Sequence, residues 1–240
     1  MNNTFSFNRF GRVLAKDWKD YFRNFGISLI VWSCIPVLVW ITSLIFDLHI
    51  YAEVRTAIIG CLVFSVLIFV PSKVYGKANL SREGISFASL PATNLEKFFS
   101  MLVYCSILTP IIVGLGSWAV DTLLTLLPFG GFTEFVMLPI SHLCLQIITI
   151  GCMILMFSSI FMFGNMLFKK RKAGKTIAWG LLIVFVKTLL FQLFNLHEIR
   201  IRWLVSLSNT EMLWVNSITC FAIALLFYFL TYRRIKNQKY

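Results

Sequence analysis

Six long apolar stretches constrain this chain more than any other feature of its sequence. They lie at residues 25–46, 56–72, 98–127, 135–166, 176–196 and 212–232. A helix needs about 20 residues to cross roughly 30 Å of hydrocarbon, and only helices and closed β-barrels satisfy their backbone there. Barrel strands alternate apolar and polar residues, whereas these stretches are apolar throughout. We therefore predict an all-α integral membrane protein with six transmembrane helices in residues 25–232.

The composition excludes water-soluble classes. Hydrophobic residues make up 58% of the 240 residues and charged residues only 13%, which is about half of the roughly 25% typical of soluble domains. A soluble enzyme, a disordered chain and a fibrous repeat are therefore excluded. All six cysteines lie within apolar stretches and none has CxxC spacing, so we expect neither a disulfide framework nor a metal site.

Basic residues are distributed unevenly between the connections. Eighteen of the 22 Lys and Arg residues flank the stretches on one side, while Arg55, Arg200 and Arg202 lie on the other and Lys187 lies within a stretch. The positive-inside rule places the basic side, with both termini and the tail at residues 233–240, in the cytoplasm. The bases flank spans instead of forming one stripe, so the net charge of +12 indicates orientation in a plasma (inner) membrane and not nucleic-acid binding.

Residues 1–24 contain a predicted amphipathic helix. Apolar and basic side chains each recur there at intervals of three or four residues. A helix of this type lies along a membrane surface. It is either a lipid anchor alone or an interface helix that also contacts a cytoplasmic partner. The candidate residues are Phe7, Arg9, Phe10, Arg12, Leu14, Lys16, Trp18 and Lys19.

The connection between the second and third spans, residues 73–97, is a predicted docking loop. Thr93 and Glu96 match a capping box, in which each side chain accepts the other residue's backbone amide hydrogen, so the third span can begin at Asn94. Further along the chain, Pro110 can kink the third span, and Pro139 can separate an interfacial stretch from the fourth helix. The candidate loop residues are Arg82, Glu83, Leu90, Pro91, Thr93, Asn94, Glu96 and Lys97.

Three patches of this sequence resemble the permease subunits of bacterial ABC-type-2 exporters. They are residues 89–98 (SLPATNLEKF), residues 163–171 (FGNMLFKKR) with 175–176 (KT), and residues 7–10 with 17–19. The resemblance implies a six-helix subunit with an N-terminal interface helix and a first cytoplasmic loop that couples to a separate ATPase. That ATPase would hold the ATP and Mg²⁺, and two permease copies would pair as a homodimer or with a related chain. It also implies that residues 195–211 fold partly back toward the membrane.

Two charges, Asp121 and Lys187, lie inside the predicted spans. They are six and nine residues from the outer ends of their helices, or about 9 and 13 Å deep. The two side chains can meet there, and His142 and Gln146 on the fourth span can approach the same layer. Because intramembrane charges are costly, they form either a buried pair that fixes helix registration or a polar patch that lines a substrate path.

No catalytic or cofactor-binding constellation is evident. The run Gly174-Lys175-Thr176 resembles the end of a phosphate loop, but residue 169 is Lys where the motif needs glycine. The sequence predicts a transport subunit, not an enzyme, whose ATP hydrolysis is supplied by a partner. The alternatives are a membrane substrate-capture or sensor module without transport of its own, and a lipid-modifying membrane enzyme.

Overall fold

All regular secondary structure is helical in the residues that the computed structural model describes, which are 5–76, 87, 89–128, 131–132, 134–136, 143–168, 172–196 and 209–237. The all-α prediction is therefore confirmed. The helices are α1 (Phe7–Ser33), α2 (Ile35–Ile45), α3 (Ala52–Val74), α4 (Asn94–Leu102), a π-helical turn (Val103–Leu108), α5 (Thr109–Thr125), α6 (Leu143–Leu167), α7 (Lys172–Leu196) and α8 (Asn209–Lys236).

Among the residues that the structure describes, five helical segments are long and apolar enough to cross a membrane. The predicted span at residues 176–196 lies in α7, where the apolar helix within the described part of the chain, Gly174–Ile183, is shorter. The count of six therefore stays a prediction. The five segments are Phe7–Phe46, Ala52–Val74, Asn94–Thr125, Leu145–Leu167 and Leu213–Lys236.

The first helix runs without interruption from Phe7 to Ser33. The predicted interface helix is therefore the first half of α1 and not a separate element. The chain breaks at Cys34 instead, because Pro36 lies at the start of α2 and has no amide hydrogen to continue the ladder. Helices curve only gently without such a break, so the charged first half of α1 continues the axis of its apolar second half.

The third predicted span consists of α4, the π-helical turn and α5. It begins at Asn94, as the capping box predicted. The π-helical turn ends just before Pro110, whose missing amide hydrogen frees a carbonyl one turn earlier. The Thr109 hydroxyl donates to the Tyr104 carbonyl oxygen at 2.6 Å. The third span therefore contains a π-helical turn beside Pro110, and the predicted kink itself stays a prediction.

Two predictions fall on parts of the chain that the structure leaves undescribed. The stretch around Pro139 belongs to residues 137–142, and most of the 195–211 connection belongs to residues 197–208. Helix α6 itself begins at Leu143.

Helices α1, α3, α5, α6 and α8 pack around a shared apolar core. Helix α8 packs along α6, α3 lies against α5 and α6, and α1 contacts α3, α4 and α5. Gly164 allows close packing, since a Cβ atom there would lie 2.7 Å from the Thr176 Cβ atom. The outward faces carry exposed large apolar side chains on every long helix, as expected for helices surrounded by lipid.

Candidate functional site

The start of α4 is bonded to the start of α1. The predicted capping box is present: the Thr93 side chain accepts the Glu96 amide hydrogen at 3.3 Å, and Glu96 accepts the Thr93 amide hydrogen at 2.9 Å. The other Glu96 oxygen accepts the Ser6 amide hydrogen at 2.8 Å and lies 3.2 Å from the Arg9 guanidinium. Glu96 is completely buried. We call these four residues the Glu96 cap.

A second buried carboxylate, on α1, is bonded to α4 one turn beyond Glu96 and to the end of α3. Asp17 of α1 is 7% exposed, and its Oδ2 atom accepts hydrogen bonds from Ser100 at 2.6 Å and from Tyr75 at 3.0 Å. Tyr75 directly follows α3. Burial raises the pKa of the Tyr75 phenol well above its ordinary value, so Tyr75 acts as the donor. We call Asp17, Tyr75 and Ser100 the Asp17 cluster.

Further bonds fasten α1 along the third span and Tyr75 to α6. The Tyr104 hydroxyl donates to the Leu14 carbonyl oxygen at 2.7 Å. The hydroxyls of Tyr21 and Thr109 lie 2.8 Å apart. On the other side, the Asn165 side chain of α6 donates to the Tyr75 carbonyl oxygen at 3.3 Å. The N-terminal helix is therefore part of the bundle.

Together these contacts hold both ends of the 73–97 connection on one helix. Tyr75 at its beginning is bonded to Asp17, and Glu96 at its end is bonded to Ser6 and Arg9. A displacement of this connection would therefore act on α1, on the end of α3 and on the start of α4 together. The arrangement can transmit movement, but it offers no acid–base pair facing an open cleft.

At the other end of α3 and α5, Arg55 and Asp121 form a buried ion pair. They are 2% and 1% exposed, and the Arg55 Nη1 atom lies 3.4 and 3.5 Å from the two Asp121 oxygens. The guanidinium carbon lies 4.3 Å from the centre of the Phe132 ring, and Nη2 donates to the Glu134 carbonyl oxygen. In the described part of the chain, Arg55 Nε and Asp121 Oδ2 have no hydrogen-bond partner.

The Asp17 cluster and the Arg55–Asp121 pair are separated by about one bilayer thickness. Tyr75 follows Arg55 by 20 residues along α3, and Asp121 follows Ser100 by 21 residues along the third span. At 1.5 Å per residue both distances are about 30 Å, the thickness of the hydrocarbon core. The two polar sites therefore lie at opposite ends of the apolar part of these helices.

The predicted loop residues divide into buried and exposed groups. Glu96 and Lys97 are buried, Leu90 and Thr93 are half-buried, and Pro91 and Asn94 are exposed. The Lys97 ammonium lies 5.3 Å from the centre of the Phe87 ring. Arg82 and Glu83 lie outside the residues that the structure describes.

Residues of the predicted interface helix also divide between two faces. Arg9, Phe10 and Leu14 are half-buried, whereas Phe7, Arg12, Lys16, Trp18 and Lys19 are exposed. Phe7 is 82% exposed and lies in edge contact with Phe5, whose ring also approaches Phe99 of α4. The tip of α1 and the start of α4 therefore share an exposed aromatic surface.

The predicted intramembrane cluster is described only in part. Asp121 is buried, as expected, but the partner that the structure gives it is Arg55. Gln146 is half-buried on α6. His142 and the side chain of Lys187 lie outside the described residues, so the proposed contact between Asp121 and Lys187 stays a prediction.

Sequence reasoning missed Asp17, Tyr75, Ser100 and the pairing of Arg55. The signal for Asp17 was available, because an acid occupies a four-residue periodicity of buried side chains along α1. That series is Val13, Asp17, Tyr21, Phe25 and Leu29. Arg55 lies one residue outside the predicted second span, where the sequence indicates only a charge that helps to orient the helices.

Comparison of the chain with protein-family models, with curated proteins and with solved structures finds no match. Among the described residues, no group of three His, Cys, Asp or Glu side chains is arranged to hold a metal ion.

Proposed function

We propose that this chain is the transmembrane subunit of an ATP-driven, ABC-type exporter. It crosses the plasma membrane six times with both termini in the cytoplasm, and two copies pair. A separate ATPase binds ATP and Mg²⁺ and supplies the energy. We propose an amphipathic cargo, because the helix faces in the described part of the chain are mostly apolar.

The observation that carries this proposal is the attachment of both ends of the 73–97 connection to α1. A subunit without its own nucleotide site needs a surface through which a partner moves the spans. The Glu96 cap, whose carboxylate is buried, and the Asp17 cluster supply bonds between that connection and the first three spans. Buried charge-assisted hydrogen bonds of this kind are strong and geometrically specific.

Charge supports the assignment of this end to the cytoplasm. Lys73, Lys97, Arg233 and Arg234 lie near the helix ends that carry the two carboxylates, and basic residues favour the cytoplasmic side. Helix length leaves room for this end outside the bilayer. The segment Asn94–Thr125 is 32 residues long, about 48 Å, so roughly 18 Å extends beyond the hydrocarbon core, and its polar end begins with the Glu96 cap.

A membrane sensor or capture module is the second candidate, because the same attachment could report a movement instead of driving transport. A lipid-modifying enzyme receives less support. The described buried acids accept hydrogen bonds from neighbouring helices or pair with arginine, whereas an acid catalyst must reach its substrate.

Purification of the tagged full-length chain from its native membranes tests the proposal. We expect an ATPase to co-purify. After reconstitution into vesicles, its vanadate-sensitive rate of ATP hydrolysis should change when an amphipathic fluorescent probe is added. The probe should become enriched on one side of the vesicle membrane. Glu96→Ala should lower the amount of co-purifying ATPase several-fold. Glu53→Gln, an exposed acid at the far end of α3, is the matched control.

The outcomes separate the candidates. Binding of an ATPase without any probe movement would favour the sensor. A wild-type chain that never co-purifies with an ATPase would contradict the proposal altogether.

A further inference from the structure

We propose that Asp17 is a positioning residue that makes α1, the end of α3 and the start of α4 move as one unit. This inference rests on the proposed function, because it concerns how movement of the partner ATPase reaches the membrane spans. Asp17 binds no nucleotide or cargo in this scheme. It acts through Tyr75 and Ser100.

The location of Asp17 is the first argument. It occupies a helix face whose other buried members are apolar or aromatic, and only 7% of it is exposed. Burial of a carboxylate is costly unless hydrogen bonds compensate. An apolar residue would pack at this position without that cost, so the acid is explained by what it joins and not by stability alone.

The direction of its hydrogen bonds is the second argument. Tyr75 and Ser100 donate to the same oxygen, at 3.0 and 2.6 Å. These residues lie on either side of the 77–92 part of the connection, so one atom of α1 fixes the separation of the connection's two ends. The Glu96 cap fixes the second end again, about one turn before Ser100 in α4.

The continuity of α1 is the third argument. Asp17 lies in the same unbroken helix as the first nine residues of the first predicted span. The Tyr75 carbonyl oxygen also accepts a hydrogen bond from Asn165 at the end of α6. A pull on the connection is therefore passed to the first three spans through Asp17, and to the fourth through Tyr75.

A native cysteine reports whether movement reaches the spans. Cys105 lies on the π-helical turn of the third span and is 1% exposed. We would measure its labelling rate by N-ethylmaleimide, peptide by peptide with mass spectrometry, in the purified complex with ADP and with ATP plus vanadate. We expect the wild-type rate to differ several-fold between the two states.

Asp17→Ala should abolish that nucleotide-dependent difference while the ATPase stays bound and still hydrolyses ATP. A merely structural role would instead change labelling equally in both states. Tyr75→Phe and Ser100→Ala, which each remove one of the two bonds, should reduce the difference partly. Asp17→Asn, which keeps an acceptor oxygen of the same shape, should restore most of it. Asp20→Ala, at a half-buried acid of the same helix that pairs with Arg23 and contacts neither Tyr75 nor Ser100, is the matched control.

Full nucleotide dependence in Asp17→Ala would overturn the inference. If that variant does not insert, unchanged dependence in both Tyr75→Phe and Ser100→Ala would overturn it equally. A wild-type complex with bound ATPase but no nucleotide effect on Cys105 would also contradict this inference and leave the proposed function standing. Absence of any ATPase from the wild-type preparation would remove both.

Discussion

The two polar ends of this bundle compensate their buried charged side chains in different ways. At one end, Asp17 and Glu96 each accept at least two hydrogen bonds, most of them between 2.6 and 3.0 Å. At the other end, Arg55 and Asp121 are opposite charges whose contacts measure 3.4 and 3.5 Å. Both sites have buried acids. Among the described residues, the first end has the shorter bonds between helices, whereas Arg55 at the second end also donates to the Glu134 carbonyl oxygen outside the helices.

The difference shows what each end can do. Acceptors that receive short hydrogen bonds from several helices fix the relative positions of those helices, so these helices can move together as one unit. Burial of an ion pair costs hydration free energy, and long contacts between the charges offset less of that cost than short ones. Such a pair therefore contributes little net stability while both charges remain. It does, however, penalise any arrangement that separates the charges. We therefore expect the Arg55–Asp121 pair to favour one register of α3 against α5.

Removal of one member of that pair should have the largest effect on stability. Arg55→Ala or Asp121→Ala leaves an uncompensated buried charge, which costs about 3–5 kcal/mol. We expect a clear fall in the thermal unfolding temperature of the detergent-purified protein, measured by the fluorescence of its tryptophans.

The double variant Arg55→Met with Asp121→Leu is the control for this comparison. It removes both charges and should recover most of the lost stability. A double variant as unstable as either single one would show that the two residues act separately. Retained transport in a stable double variant would exclude a path-lining role for Asp121.

An intermediate effect is expected at the Glu96 cap. Glu96→Ala removes the carboxylate from its three partners and leaves the Ser6 and Thr93 amide hydrogens without that acceptor. A buried donor left unsatisfied costs about 1–3 kcal/mol, and since Ser6 and Thr93 are half-buried, we expect a loss near the lower end of that range. Glu96→Gln keeps an acceptor that also suits a capping box and loses only the charge near Arg9, so it should retain most of the stability. Equal destabilisation by both variants, in the same thermal assay, would show that charge matters more than bonding.

Local sequence rules predicted only the capping box of the first end. Thr93 and Glu96 are three residues apart, so their capping box is a local pattern, and α4 begins at Asn94 as expected. The all-helical class likewise follows from apolar stretches that need no tertiary information. The break at Cys34 was not predicted, although Pro36 is a local reason for it.

Contacts between distant residues were not predictable in the same way. Asp17 is bonded to residues 58 and 83 positions away, and Arg55 pairs with a residue 66 positions away. Hydropathy gives each helix's length but not its neighbours. Without small-residue motifs that define a helix pair, the expected partner of Asp121 was chosen from charge and depth. Those criteria favoured Lys187, because Arg55 was placed outside the second span.

The smallest effect is expected at the ion pair between Asp20 and Arg23, which separates exposed from buried electrostatics. Their atoms approach to 2.9 Å, closer than Arg55 and Asp121, yet their side chains are 36% and 76% exposed. Water screens such pairs, so Asp20→Asn should change the free energy of unfolding by less than about 0.5 kcal/mol. The same thermal assay measures it, and high salt should abolish what difference remains. A loss comparable to that of Asp121→Ala would contradict this prediction. It would mean that a partner or lipid buries this face of α1 in the membrane. Contact distance would then predict the contribution of an ion pair better than exposure in the isolated chain does.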